Sequence, residues 1–423
     1  MTQRYDTYKD SGVQWLGEIP GHWENKRLAA LFTDDIEINK DFQYKRAFKY
    51  NYGCLVPKNE IGEPEEYRDV YVKYSIVNTG DILINGLNLN YDFITQRVAC
   101  APSGGIITSA YVVCRPRPNV NYNYYTYLFK AMDSMKMFHG MGTGIRLTLS
   151  FKELKKQLLP IPPLSEQRSI VSFLDAKCGK IDEWVTKKQK EVEHLQELKQ
   201  RVIADAVTRG LNPHVKMKAT NIPWLKEIPE HWENKRLAAL FTGDIDSNKD
   251  FRFKHAFKFN YGSLVLKDEI GAPEEYRTVY VKYSIVNKGD ILVNGLNLNY
   301  DFISQRVACA PSDGIITSAY VVCRPRPNVN YVYYTYLFKA MDSMKLFHGM
   351  GTGIRLTLSF KELKKQMLPV PPLSEQKQIV SYLDTKTSKI DKLIAHITKE
   401  IECIKEYKQR LISDVVTGQI KVC

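Results

Sequence analysis

Two hydrophobic patterns run along this 423-residue chain, and each occurs twice. The first is a series of short runs rich in Val, Ile and Tyr, separated by turn residues. Val70-Tyr71-Val72-Lys73-Tyr74, Gly80-Asp81-Ile82-Leu83-Ile84 and Ala110-Tyr111-Val112-Val113-Cys114 are of this kind, the last stopped by Arg115-Pro116. Alternation and β-branching in runs this short predict strands. A helix is predicted from Tyr124 to Met137, ending at Gly140, and Ser150 is placed to cap a short helix through Lys156.

The second pattern follows Pro160-Ile161-Pro162-Pro163, which should shut off regular structure, with Ser165 capping a long helix. Its apolar positions step by four and three: Leu174, Cys178, Ile181, Val185, Val192, Leu195, Val202 and Ala206, interrupted by Lys188 and Lys199. A later helix carries Leu383, Ile390, Ile394, Ile397, Ile401, Ile404, Leu411 and Val415 on its seam, with Thr387 and Lys408 as exceptions. Heptads sustained this long signal a coiled coil. Each helix could instead pack along its own globular domain, but a narrow stripe suits a partner helix better than a sheet.

The patterns repeat because the sequence does. Residues Ile19 to Leu164 return as Ile228 to Leu373, and 21 of the 146 paired positions differ. The stretches after each copy, Glu166 to Arg209 and Glu375 to Gly418, align with only about half of their residues matching. Domains that read the same thing must stay alike, whereas paired helices need only keep their seam; recent exchange between copies would leave the same trace. The expected fold is α+β: two repeated mixed α/β domains (1–164 and 211–373) separated by two long helices (165–210 and 374–423). The helices are expected to form an antiparallel intramolecular coiled coil with pseudo-two-fold symmetry. Doubled proteins suit symmetric ligands, of which duplex DNA is the commonest.

Composition narrows the function further. The formal net charge is +13, and most of the excess lies on the two globular copies, which favours an anionic partner. Eight cysteines show neither a Cys-x-x-Cys pair nor zinc spacing, and no run approaches 18 apolar residues, so a reducing cytoplasm and no membrane are expected. No phosphate-binding GxxxxGK[ST] loop is present. Phe138-His139-Gly140-Met141-Gly142 superficially resembles a methyl-donor turn, yet it follows a helix and lacks an accompanying Asn/Asp-Pro-Pro-aromatic motif. Glu65 and Glu66 read as solvated turn carboxylates. No catalytic residue, cofactor or metal is expected.

Three features carry candidate binding chemistry. Asn85, Asn88, Asn90 and Tyr91 lie in one loop after a predicted strand and recur as Asn294, Asn297, Asn299 and Tyr300. Asn amides can pair with the N6/N7 edge of adenine, or can satisfy their own backbone in Asx turns. Gly142-Thr143-Gly144-Ile145-Arg146 recurs with Arg355; the glycines permit close approach, and Arg can fork onto guanine or phosphate, or cover a helix end. Lys45, with Lys40 and Lys49 among aromatics, and its counterpart Lys254 suit phosphate contact or plain surface.

LPIPPLSEQRSIVSFLD and LPVPPLSEQKQIVSYLD, with the GDIL strand and the domain–helix–domain–helix order, resemble the specificity subunit of type I restriction–modification systems across essentially the whole chain. The resemblance implies two target-recognition domains that bind double-stranded DNA, each reading one half of a bipartite site. It also implies docking of two modification (methyltransferase) subunits and, in the full complex, of restriction/translocation subunits that hold the enzymatic work. In this family the two domains usually differ strongly. Near-copies predict an interrupted inverted repeat. The rival readings are a non-catalytic scaffold or decoy with two identical binding faces, and a self-contained methyltransferase.

Overall fold

The computed structural model describes residues 3–60, 62–90, 96–145, 147–268, 271–299, 305–354 and 356–422. By packing, the chain divides into two units: Met1–Gln189 with Lys399–Cys423, and Lys190–Thr398. Each unit therefore contains one globular copy and a segment of each long helix.

In the first unit, a four-stranded antiparallel sheet has the order Phe32–Thr33, Val112–Pro116, Ile82–Ile84, Val98–Cys100. Leu83 pairs with Val113 on one side and Ala99 on the other. Both faces of this sheet are covered, and the strands Ile82–Ile84 and Val98–Cys100 are accordingly continuous apolar runs. Ile82 and Ile84 join Phe32, Tyr124, Tyr125, Leu128 and Phe129 in the main core, the tyrosines, leucine and second phenylalanine coming from the helix Tyr122–Ser134. Leu83, one residue out of phase, packs on the opposite face with Phe48, Leu55, Val77 and Ile107. The second unit repeats the plan with strands Phe241–Thr242, Val321–Pro325, Ile291–Val293 and Val307–Cys309, and helix Tyr331–Ser343.

The long helices run Leu164–Arg209 and Leu373–Val416 and pack together. In the first unit, Ile170, Leu174 and Cys178 share the domain core with Leu411, Ile412, Val415 and Val416. Lys408 donates to both oxygens of Asp182 at 2.6 and 2.7 Å. The start of one helix thus lies beside the end of the other, an antiparallel pairing. In the second unit Ile203, Ala206 and Val207 share a core with Ile379 and Leu383, and Lys199 reaches Asp391 at 2.6 and 2.7 Å. Two of the three lysines that interrupt the seam in sequence therefore bridge it. Domain packing and helix pairing are not alternatives here. The helix ends do both, and Tyr124 and Tyr333 hydroxyls cap the emerging carbonyls of Val416 and Val207 at 2.8 and 2.9 Å.

The Leu-Ser-Glu-Gln helix entry has a structural explanation. Glu166 accepts the Trp23 indole N–H at 2.9 Å and pairs with His22 at 2.5 Å, while Gln167 donates to the Pro162 carbonyl at 2.9 Å. Glu375 and Gln376 do the same with Trp232, His231 and Pro371. The helix opens at Leu164, so Ser165 lies inside its first turn and not at its cap.

Other local expectations need correction. Val70 to Tyr74 is no strand: Arg68–Tyr71 is helical and the strand begins at Ser75. The aromatics Tyr67, Tyr71 and Tyr74, spaced by four and three, line up ring on ring at 5.8 and 5.4 Å. That spacing has a helical period, and it overrode the apparent alternation. Pro160 does not end regular structure, because Leu158–Ile161 pairs as a strand with Glu24–Arg27 in a two-stranded ribbon that tolerates a missing donor. No helix among the described residues is long and apolar enough to cross a membrane.

The seam should be held by apolar burial and not by its lysines. Leu383→Ala, at a fully buried position, is expected to lower stability by about 2–5 kcal/mol. Lys408→Ala, in a half-exposed pair, should cost no more than about 1 kcal/mol. Denaturant unfolding of the two variants checks the order, and an equal cost would contradict it.

Candidate nucleic-acid interface

The strand Ile82–Ile84 ends in the asparagine loop, and the structure shows what shapes that loop. Arg97 is 1% exposed and lies one residue before the strand Val98–Cys100. Its guanidinium donates from one nitrogen to the carbonyls of Asn85 and Leu87, at 2.8 and 2.9 Å. The Arg97 amide donates to Asp133 of the neighbouring helix at 2.6 Å. In the second unit Arg306 binds the carbonyls of Asn294 and Leu296, both at 2.8 Å, and Asp342 accepts its amide at 2.7 Å. A guanidinium taken out of water must find acceptors, and here the acceptors are the loop backbone.

The asparagines then play different parts. The Asn85 side chain accepts from the Leu87 amide at 3.2 Å, an Asx turn repeated by Asn294 and Leu296. Asn88 is exposed and left-handed at φ 51°, as is Asn297 at φ 49°, so each amide stands in solvent. Asn90 and Asn299 are half-buried, and among the described residues no donor reaches their buried side-chain oxygens. Tyr91 and Tyr300 lie outside the described residues.

A second candidate element is joined to the first. The Leu149 amide donates to the Gly86 carbonyl at 2.9 Å and Leu89 to the Leu147 carbonyl at 3.1 Å. The asparagine loop and the Gly142-Thr143-Gly144 turn are therefore one surface, although 50 residues separate them in sequence. Their approach requires the glycine: a Cβ on Gly86 would stand 2.7 Å from the Leu149 carbonyl oxygen. The second unit repeats the junction through Leu358 with Gly295 and Leu298 with Leu356, and Asn299 donates to the Ile354 carbonyl at 3.5 Å. Arg146 and Arg355 lie outside the described residues.

Lys45 belongs to a separate cluster. It lies over the Phe42 ring, 5.5 Å from its centre, and pairs with Glu65, whose carboxyl is held below its usual range by that hydrogen bond. Lys254 pairs in the same way with Glu274 at 2.5 Å. Glu65 and Glu274 thus have basic partners that the sequence did not suggest, and a phosphate reaching these lysines would have to displace a carboxylate.

Two features escaped sequence reasoning. One is the Arg97 and Arg306 pair, whose only signal was a lone arginine entering an apolar run. The other is the tip of the hairpin Phe48–Asn51 and Cys54–Pro57, where Tyr52 and Gly53 take φ 43° and 78°. Such turns favour Asn-Gly, yet here a tyrosine 79% exposed occupies the first position, and Tyr261 at 86% repeats it. The Tyr50 hydroxyl ties this hairpin to the Gln96 carbonyl at 2.8 Å, beside Arg97. Among the described residues no cluster of three or more His, Cys, Asp or Glu could hold a metal.

Arg97→Lys keeps the charge but replaces the planar guanidinium, which reaches both loop carbonyls, with a shorter ammonium. It is expected to leave the domain folded, about 1–3 kcal/mol less stable, with faster hydrogen exchange at the Leu89 and Leu149 amides. Unchanged exchange at those two amides would show that the guanidinium does not organise the loop.

The sequence profile described as the type I restriction modification DNA specificity domain matches this chain twice, over residues 23–194 and 229–403. The type I restriction enzyme MjaVIII specificity subunit of Methanocaldococcus jannaschii is 26% identical over 374 residues, 83% of this chain and 81% of that protein. The putative type I restriction enzyme MjaX specificity subunit of the same organism is 24% identical over 439 residues, 96% of each. A chain from a solved structure concerned with complex assembly and conformational transition of the type I R-M system shares the fold. Its TM-score is 0.68 at 16% identity, over 94% of this chain and 98% of that one. With both copies matched, this chain belongs to the family of type I restriction modification DNA specificity domains.

Proposed function

We propose that this chain is the recognition subunit of a type I restriction–modification complex and that its two domains read the halves of a bipartite, inverted-repeat DNA site. Adenine methylation and cleavage fall, on this reading, to two modification subunits and to restriction/translocation subunits, and the chain itself catalyses neither. Family membership supports the recognition role, as do relatives named as specificity subunits.

The inverted repeat is carried by one observation: Asn85 to Ile94 and Gly140 to Ser150 are identical to Asn294 to Ile303 and Gly349 to Ser359. Equal reading surfaces select equal half-sites.

Within a half-site, the exposed amides of Asn88 and Asn297 suit bidentate pairing with adenine, and Asn90 and Asn299, whose oxygens are buried, stand beside them. Asn85 and Asn294 act by shaping the loop. Tyr91, Tyr300, Arg146 and Arg355 extend the same loops and would add stacking and forked contacts to guanine or phosphate. Lys45 and Lys254 would supply phosphate contacts once released from their carboxylates.

Sequencing methylated adenines in a genome carrying this system tests the reading. A short half-site, an unspecified spacer and the reverse complement of the half-site are expected; two unrelated halves would contradict it. Cysteine labelling gives a local check. Cys54, exposed beside the Tyr52 turn, should react readily with a maleimide and lose reactivity when target duplex is added. Cys114 and Cys323, whose thiol pKa is raised by burial, should stay silent until unfolding. Labelling of Cys54 at an unchanged rate with DNA bound would remove the 51–54 turn from the interface.

A further inference from the structure

We propose that Ile145, and Ile354 in the second domain, are apolar DNA contacts that enter a groove and press against bases, adding affinity that does not depend on salt. The inference rests on the reading of each domain as a DNA-binding face.

Thr143 and Thr148 exchange both backbone hydrogen bonds, at 3.0 and 2.9 Å, and Leu147 closes the turn by donating to Gly144 at 3.1 Å. The result is a narrow hairpin whose apex carries Ile145, 98% exposed. Thr352, Thr357 and Leu356 with Gly353 build the same hairpin in the second unit, and Ile354 is again 98% exposed. A single exposed apolar residue is ordinary on a protein surface. This one differs in three respects.

First, its hairpin is pinned at the base to the asparagine loop by the Leu149–Gly86 and Leu89–Leu147 hydrogen bonds, which fix the point from which the tip projects. Second, Leu147 and Leu356 are held left-handed at φ 41° and 40°, a conformation unfavourable for leucine, and the surroundings enforce it in both units. Third, among the described residues of the tip the isoleucine is the exposed large apolar side chain: Thr143, Gly144 and Thr148 are exposed and none is a large apolar group, and Leu147 is partly buried against the domain core. A protein partner would be met by an apolar patch. A single exposed branched side chain on a thin tip beside adenine-reading amides fits the floor of a groove, where thymine methyls and base steps offer apolar contact.

Apolar and phosphate contacts separate by their response to salt. Each phosphate contact releases counterions and steepens the fall of affinity with salt, whereas an apolar contact raises affinity, and its loss lowers affinity, equally at every salt concentration. The experiment uses the full chain with its modification subunits and a duplex carrying the site found by methylation mapping. Binding of wild type and of the I145A/I354A variant is measured across a salt series. The expected result is a loss of roughly tenfold to fiftyfold in affinity, with an unchanged salt slope. The thermal unfolding midpoint should not move, because both side chains lie in solvent. The I145V/I354V variant, which keeps the branched shape, should recover most of the affinity.

Wild-type affinity in I145A/I354A, or a loss accompanied by a shallower salt slope, would overturn the proposal while leaving the DNA-reading role in place. Wild-type protein whose duplex binding is absent or insensitive to salt would instead remove that role and this contact with it.

Discussion

A guanidinium held out of water is the interaction on which the candidate interface depends. Arg97 and Arg306 are all but inaccessible, so each guanidinium must find acceptors within the protein. The acceptors it finds are the carbonyls of the loop that leaves the central strand. Satisfying the charge and setting the loop are therefore one event. The turn so fixed leaves Asn85 to complete it and directs Asn88 outward. It also offers the Gly86 carbonyl and the Leu89 amide to the hairpin that carries Ile145.

The same economy governs the helices. Their seam is not a separate rod attached to finished domains, because the apolar ends of both helices complete each domain core. Trp23 and Trp232 are anchored to Glu166 and Glu375 at the helix entries, and Tyr124 and Tyr333 cap carbonyls at the helix exits. Each candidate surface thus stands on a sheet whose helix-covered face continues into the paired helices. Lys199 and Lys408 cross the seam to aspartates, keeping polar positions compatible with pairing without supplying much of its stability.

The repeat, the two long helices and the strand Ile82–Ile84 were legible in the sequence because each is a strong periodic or self-similar signal. The errors arose where two periods overlap or where a partner lies far away. Val70 to Tyr74 alternates like a strand, but its tyrosines obey a helical spacing that becomes decisive only when the rings stack. Glu65 is exposed, as its polar turn suggested, but its pairing went unseen because its lysine is 20 residues distant. The union of residues 85–90 with 142–149 rests on backbone hydrogen bonds, to which side-chain patterns are blind. Arg97 was invisible for a related reason: nothing in a sequence says that an arginine will be buried, and only the carbonyls it meets explain why it can be.

The central claim is that this loop network, set by a buried arginine in each domain, faces the bases of DNA. Its most direct test is photo-crosslinking from an unnatural side chain placed at Asn88 or at Asn297, in the complete complex bound to its target duplex. The account predicts crosslinks to base positions within the half-sites from both placements. Crosslinks to protein subunits alone, with the duplex bound and untouched, would contradict it.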